Sequence, residues 1–252
     1  LRRDFISLLR GQELPGLPLQ YKDYSEWQNR DEIKESIRHQ AEYWLKEFAG
    51  EITLLDLPLD YERTGKMSFE GNSFSFTIDD ILTSRIKKCA LEFGVTLMMF
   101  LFSVYKLLLA WYACQEEVIV GTVVGGRQDI DLENIIGFFV NMLAIKTNPN
   151  KNKTFSEYLG QVKEKILEAH ENQEFQFEEL VSKLNIQRQP GRHPLVEVVF
   201  AFWEREDSLI GERKDRDSSL NFNLFNISHF DLMLHTVTAA GLIQMRLEYC
   251  TR

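Results

Sequence analysis

Cysteine is scarce in this 252-residue sequence, with only Cys89, Cys114 and Cys250. They lie far apart and match no disulfide or metal framework, so a reducing, cytoplasmic setting is expected. Basic residues are also in deficit: Lys and Arg number 29 against 38 Asp and Glu, a formal net charge of −9. That balance argues against nucleic acid or an anionic membrane as a partner. No secretory signal is visible. An uninterrupted membrane-length apolar run is missing too. The nearest match, VTLMMFLFSVYKLLLAWYAC (95–114), contains Lys106, has no basic flank and carries aromatics throughout; it reads as the buried helix of a soluble fold. A helix-borne zinc pair, a Cys-x-x-Cys pair, a Gly-x-Ser-x-Gly elbow and any repeat of solenoid period are all absent. The five histidines, at 39, 170, 193, 229 and 235, stand singly.

What is present is globular. Hydrophobic residues make up 44% and aromatics 12%, enough for a substantial core in one large domain or two small ones. LRRDFISLLRG looks like the tail of a helix, which suggests a start inside a larger polypeptide. The stretch QELPGLPLQYKDYSEWQNR (12–30), with Pro15 and Pro18, is expected to be an extended connector. Ile33, Ile37, Ala41, Trp44 and Phe48 then mark one helical face ending at Gly50. Alternation over SFSFTI (73–78) predicts a strand. Helices follow over 79–93 and 96–113, separated by Gly94, with Thr96 as N-cap.

Strands are expected over 118–124 and 140–147. Thr154 and Glu157 form a capping-box pattern opening a helix over 154–170, and a shorter helix lies near 177–184. Strands over 195–203, 220–227, 230–237 and 242–249 complete a mixed sheet, with a charged exposed loop at 204–219. The fold class is α/β, an α+β mixed sheet. Residues 1–69 read as the end of one lobe and a connector, and 70–252 as one compact lobe.

Candidate chemistry is sparse. GTVVGGRQ (121–128) follows a strand and approaches a phosphate-binding loop, but Arg127 and Gln128 stand where such loops need lysine and a hydroxyl. A tight turn tied down by Arg127 fits better. His229, Asp231 and His235 are expected on one strand face, where neighbours two apart are separated by roughly 6.5–7 Å, too far for a direct dyad. His170 with Glu171, Glu174, Glu178 and Glu179 surrounds a helix break and reads as a solvated turn. No metal site and no nucleophile present themselves.

Five stretches together resemble, in order and spacing, motifs of the condensation domains of nonribosomal peptide synthetases. They are YKDYSEW (21–27), GTVVGGR (121–127), IGFFVN (136–141), NQEFQFEEL (172–180) and RQPGRHPL (188–195). Departures occur: Val123 and Gln176 stand where that family has proline, and Gln189, Gly191 and His193 replace aspartate, serine and asparagine.

The resemblance implies the second half of a two-lobed, chloramphenicol acetyltransferase-like fold with the reaction centre in a tunnel between lobes. Donor and acceptor carrier-protein domains deliver thioester-bound chains on phosphopantetheine arms, with no cofactor bound directly, and an adenylation domain lies alongside. Gly125, Arg127, Gly137, Phe138, Asn141 and Gln173 are then expected at the tunnel or interlobe face. Tyr21, Asp23, Trp27, Arg188 and Arg192 are expected to be structural. The family's H-H-x-x-x-D-G motif, which carries the chemistry, is not in this sequence. No catalytic residue is therefore assigned to the chain, which is expected to need the first lobe for activity and, without it, to dimerise through an exposed apolar face. Within the same resemblance an epimerisation domain is the alternative, and a noncatalytic carrier-docking module is a further one.

Overall fold

A computed structural model describes residues 2–63, 65–127, 129–187, 189–204, 227–239 and 241–251. Arg188, Gln128 and nearly all of the expected charged loop and the strand at 220–227 lie outside the described residues. The helices are α1 (Arg2–Leu9), α2 (Tyr21–Gln28), α3 (Asp31–Glu47), α4 (Asp80–Glu92), α5 (Leu97–Ala113), α6 (Phe155–Glu171) and α7 (Phe177–Lys183). The strands are β1 (Gly71–Ile78), β2 (Val118–Val124), β3 (Asn141–Thr147), β4 (Val198–Glu204), β5 (Leu232–Ala239) and β6 (Leu242–Cys250). They form one mixed sheet in the order β1-β6-β5-β4-β2-β3. β2, β4 and β5 run parallel, and β1, β6 and β3 pair antiparallel with their neighbours.

The boundaries follow local chemistry. The Thr96 hydroxyl accepts from Met99 N at 3.2 Å to open α5, and Cys114, at φ 52°, closes it in the left-handed region. Thr154 and Glu157 cap α6 reciprocally. β2, VIVGTVV, has no polar alternation because it is covered on both faces. α5 and α6 pack on the sheet, with Phe102 against Phe200 at 5.4 Å and Tyr158 sharing a hydroxyl contact with Thr147. One hydrophobic cluster joins these elements to Ala41, Trp44 and Phe48 of α3 and to Leu55, so the core continues across residue 70.

Lys106 lies wholly inside it. Its ammonium donates to Ile145 O and sits over the Phe102 ring, and burial pulls its pKa well below the usual lysine value despite opposing fields from Glu47 and Glu117.

Three expectations are corrected. The connector at 12–30 is not extended throughout, because Tyr21–Gln28 is helical. The Asp23 carboxylate accepts from Gln20 N at 2.8 Å, the N3 half of a capping box. Tyr21, Tyr24 and Trp27, three apart, form an aromatic stripe along this helix. β4 starts at Val198 rather than Leu195, because Leu195 has φ 67° and Val196 N bonds Pro194 O, which turns the chain before the strand. His229, Asp231 and His235 do not share a strand face, since the first two precede β5.

No single helix among the described residues is long and apolar enough to cross a membrane; α4 and α5 meet at 100°.

Candidate functional site

The C-terminal end of β2 and the N-terminal end of β3 lie side by side, with Val124 opposite Asn141. The connection between them, 125–140, therefore emerges at one end of the sheet. Within it Ile135 and Phe139 point inward, whereas Ile136, Phe138 and Val140 alternate outward, and Phe138 is 75% exposed. The exposed positions 136, 138 and 140 lie two apart, the spacing at which side chains share a side. The outward residues form an exposed apolar ridge.

α2 holds this connection in place. The Tyr21 hydroxyl donates to Phe138 O at 2.8 Å, and its ring meets Phe139 edge-on at 5.2 Å. Tyr24 packs on Phe139 at 4.7 Å and on Trp27 at 5.8 Å. Gly137 is required by this contact rather than by backbone conformation, because a Cβ there would come within 2.1 Å of the Tyr21 ring. Gly126 is required twice over: its φ is +64°, and a Cβ would lie 1.9 Å from Phe139 O. No neighbour crowds Gly125. Arg127 donates to Leu132 O and stacks on Phe139 at 4.0 Å, so it does tie the turn. Tyr21 and Trp27 are only partly covered, at 37% and 41% exposure.

Asn141 is buried, and its amide is fully used by protein. The Nδ2 group donates to Gln173 O (2.8 Å) and Phe175 O (2.9 Å), while Oδ1 accepts from Met142 N (2.8 Å) and Phe177 N (3.1 Å). Phe177 is the first residue of α7, whose own N-cap residue, Gln176, makes no side-chain cap. Asn141 therefore caps α7 from another element.

The same loop is gripped from α3. Gln40 accepts from Glu174 N and Phe175 N and donates to the Glu174 carboxylate at 2.8 Å, and Trp44 donates to Asn172 O at 2.8 Å. Gln173 turns back to His170 O. Gln40 and Trp44 were missed as site residues in the sequence, where Trp44 reads only as core and nothing marks Gln40.

These segments enclose a cleft of about 320 Å³. Tyr24, Trp27, Gly126, Asp129, Phe139, Asn141, Gln173 and Glu174 face it. Burial, then the Glu174 charge and Tyr21, push the Tyr24 pKa up, so its phenol stays protonated. No described group here has the arrangement of a nucleophile with its base, and no described set of three His, Cys, Asp or Glu residues could hold a metal.

Arg192 lies elsewhere, before the start of β4. With Arg63 it brackets Glu197, which is 3% exposed, and Arg63 also pairs with Asp231. Arg192 further reaches Leu55 O at 2.7 Å, so the network ties the connector to the sheet. Glu197 and Arg63 were both missed in the sequence; a single charge inside the apolar run LVEVVF is a signal that could have marked Glu197, and nothing local marks Arg63. His235 pairs with Glu248 at 3.7 Å.

The family model for the condensation domain matches residues 1–252. The chain belongs to the condensation-domain family. Among curated relatives, this condensation-domain chain is 42% identical over 258 residues to bacitracin synthase 3 of Bacillus licheniformis and 41% identical over 253 residues to tyrocidine synthase 3 of Brevibacillus parabrevis. Both matches cover 100% of the chain and 4% of the relative, so the chain spans a small part of their length.

Among solved structures, it superposes on the X-domain from teicoplanin biosynthesis with a TM-score of 0.80 at 22% identity, over 97% of this chain and 57% of that one. The condensation domain from the monacolin K polyketide synthase gives 0.78 at 17% identity, over 97% and 59%. These likenesses establish the chloramphenicol acetyltransferase-like condensation fold.

Proposed function

We propose that these residues form the second lobe of a nonribosomal peptide synthetase condensation domain, which joins two carrier-bound aminoacyl or peptidyl thioesters. The observation that carries this reading is the convergence on one cleft of four segments distant in sequence: α2, the glycine turn, IGFFVN and the 172–176 loop. Asn141, Gln40 and Tyr21 hold them together.

In the reaction, the acceptor amine attacks the donor thioester carbonyl. A C–N bond forms, the C–S bond breaks, and the donor phosphopantetheine leaves as the thiol after proton transfer from the amine. This chain supplies rigid walls and an exposed apolar ridge, Ile136, Phe138 and Val140, that meets the first lobe. The first lobe supplies the H-H-x-x-x-D-G motif. Donor and acceptor carrier domains present the arms, an adenylation domain loads the acceptor, and the assembly works in the cytoplasm.

The test is product analysis by mass spectrometry on carrier domains loaded for the natural full-length polypeptide. A new amide on the acceptor carrier is the expected outcome. Inversion of an α-carbon without any amide would instead identify an epimerisation domain, and neither product would leave carrier docking.

A further inference from the structure

α2 forms one wall of the cleft, and it is lightly held. It buries none of its own residues, whereas α3 buries Ala41 and Trp44. Upstream, residues 8–20 are all exposed, and downstream Arg30, extended at ψ 144°, breaks the chain before α3. The helix therefore hangs between two non-helical joints, which can absorb a rotation while the element between them moves as a unit.

Open space flanks it on two sides. Tyr24, Trp27 and Gln28 line the cleft of about 320 Å³, and Gln28 and Asn29 line a second, of about 540 Å³, against α3 and α7. Its attachment to the 125–140 connection runs along one edge: the Tyr21 hydroxyl on Phe138 O at 2.8 Å, and the Tyr21 and Tyr24 rings on Phe139. One neutral hydrogen bond and two ring contacts can release while the core stays folded. Phe138 also joins this catch to the ridge, because its carbonyl holds Tyr21 while its side chain, 75% exposed, faces outward. Whatever covers the ridge fixes Phe138, and so acts on the catch.

We infer that α2 is a strap that opens and closes the cleft, with the Tyr21–Phe138 bond as its catch, and that covering the ridge closes it. The identity of the covering body, the first lobe, rests on the condensation reading; the motion of α2 does not.

The experiment is fluorine-19 NMR of the 252-residue chain with 5-fluorotryptophan at its four tryptophans, the Trp27 signal being assigned with Trp27→Phe. Trp27 is expected to exchange between two states on the millisecond scale, while Trp44, 2% exposed and bonded to Asn172 O, does not. Tyr21→Phe removes the catch, and Gly137→Ala places a Cβ 2.1 Å from the Tyr21 ring. Both variants should shift the Trp27 signal in the same direction and raise the open population by about three-fold or more, with an unmoved Trp44 signal showing that the fold is intact. Adding a separately produced first lobe bearing H-H-x-x-x-D-G should shift Trp27 the opposite way.

A Trp27 signal that shows no exchange and that neither variant moves overturns the strap, as does exchange shared equally by Trp44. A first lobe that binds in sedimentation but leaves Trp27 unchanged overturns the coupling to the ridge and leaves the condensation reading standing. A first lobe that does not bind, while Trp27 exchanges and responds to both variants, supports the strap and counts against the condensation reading.

Discussion

Asn141→Ala is expected to destabilise the chain through lost hydrogen bonds alone. The side chain makes three hydrogen bonds to a distant segment, to Gln173 O, Phe175 O and Phe177 N, and one to its neighbour Met142 N. Each is worth about 1 kcal/mol net, and leaving a buried partner unmet costs about 1–3 kcal/mol. The loss should therefore be about 3–4 kcal/mol, which for a chain of this length lowers Tm by about 10 °C.

Asn141→Asp sharpens the test. It keeps the acceptors but turns an oxygen toward two carbonyls, so its pKa in the folded state rises above the unfolded value of about 3.9. The penalty is then full above the folded pKa and recedes as pH falls through it, because the native state binds the additional proton. Gln173→Ala is the control: its side chain reaches only the nearby His170 O, and it should change stability by about 0.5 kcal/mol or less. Urea denaturation at pH 5 and pH 7 measures all three variants. A loss below about 1 kcal/mol for Asn141→Ala would refute the cross-element cap.

Other consequences are separable. Lys106→Met should stabilise the fold, by about 1–4 kcal/mol near neutral pH, because a buried amine is replaced by an apolar chain of similar length. The wild type's deficit should shrink as pH rises from the depressed folded pKa toward about 10.4, by about 1.4 kcal/mol per unit, since the unfolded lysine binds the proton more tightly; parallel stability curves at pH 7 and 9.5 would contradict this. Arg192→Ala should cost about 3–5 kcal/mol by leaving the buried Glu197 short of a partner, and chemical denaturation of Arg192→Ala, Glu197→Ala and the double variant should show strong non-additivity. In sedimentation at rising concentration, the chain should form a dimer that Phe138→Ser weakens; a strictly monomeric wild type would count against an adhesive apolar ridge.

Much of this fold could be read from periodicity. The helices at 97–113 and 155–171 carry their own N-caps, and that at 31–47 a clear apolar face, so local rules suffice. α2 was hidden because Pro15 and Pro18 dominate its surroundings, and its aromatic stripe finds a partner only 117 residues later, at Phe138.

The cleft was legible in outline through its motif segments, yet the roles within it were not. Asn141 looks odd in an apolar strand, and the sequence shows that oddity but not its partners 32 to 36 residues away. Gly137 likewise signals a constraint, but only the Tyr21 ring above it shows that the constraint is packing rather than a turn. Long-range pairs such as Arg63 with Asp231, 168 residues apart, leave no local trace.

The most direct test of the central claim is a complementation assay with carrier domains loaded with donor and acceptor. The chain alone should yield no dipeptide, and titrating in a separately produced first lobe bearing H-H-x-x-x-D-G should restore dipeptide formation, saturating at one lobe per chain. Dipeptide formed at an undiminished rate by these 252 residues alone would contradict the account.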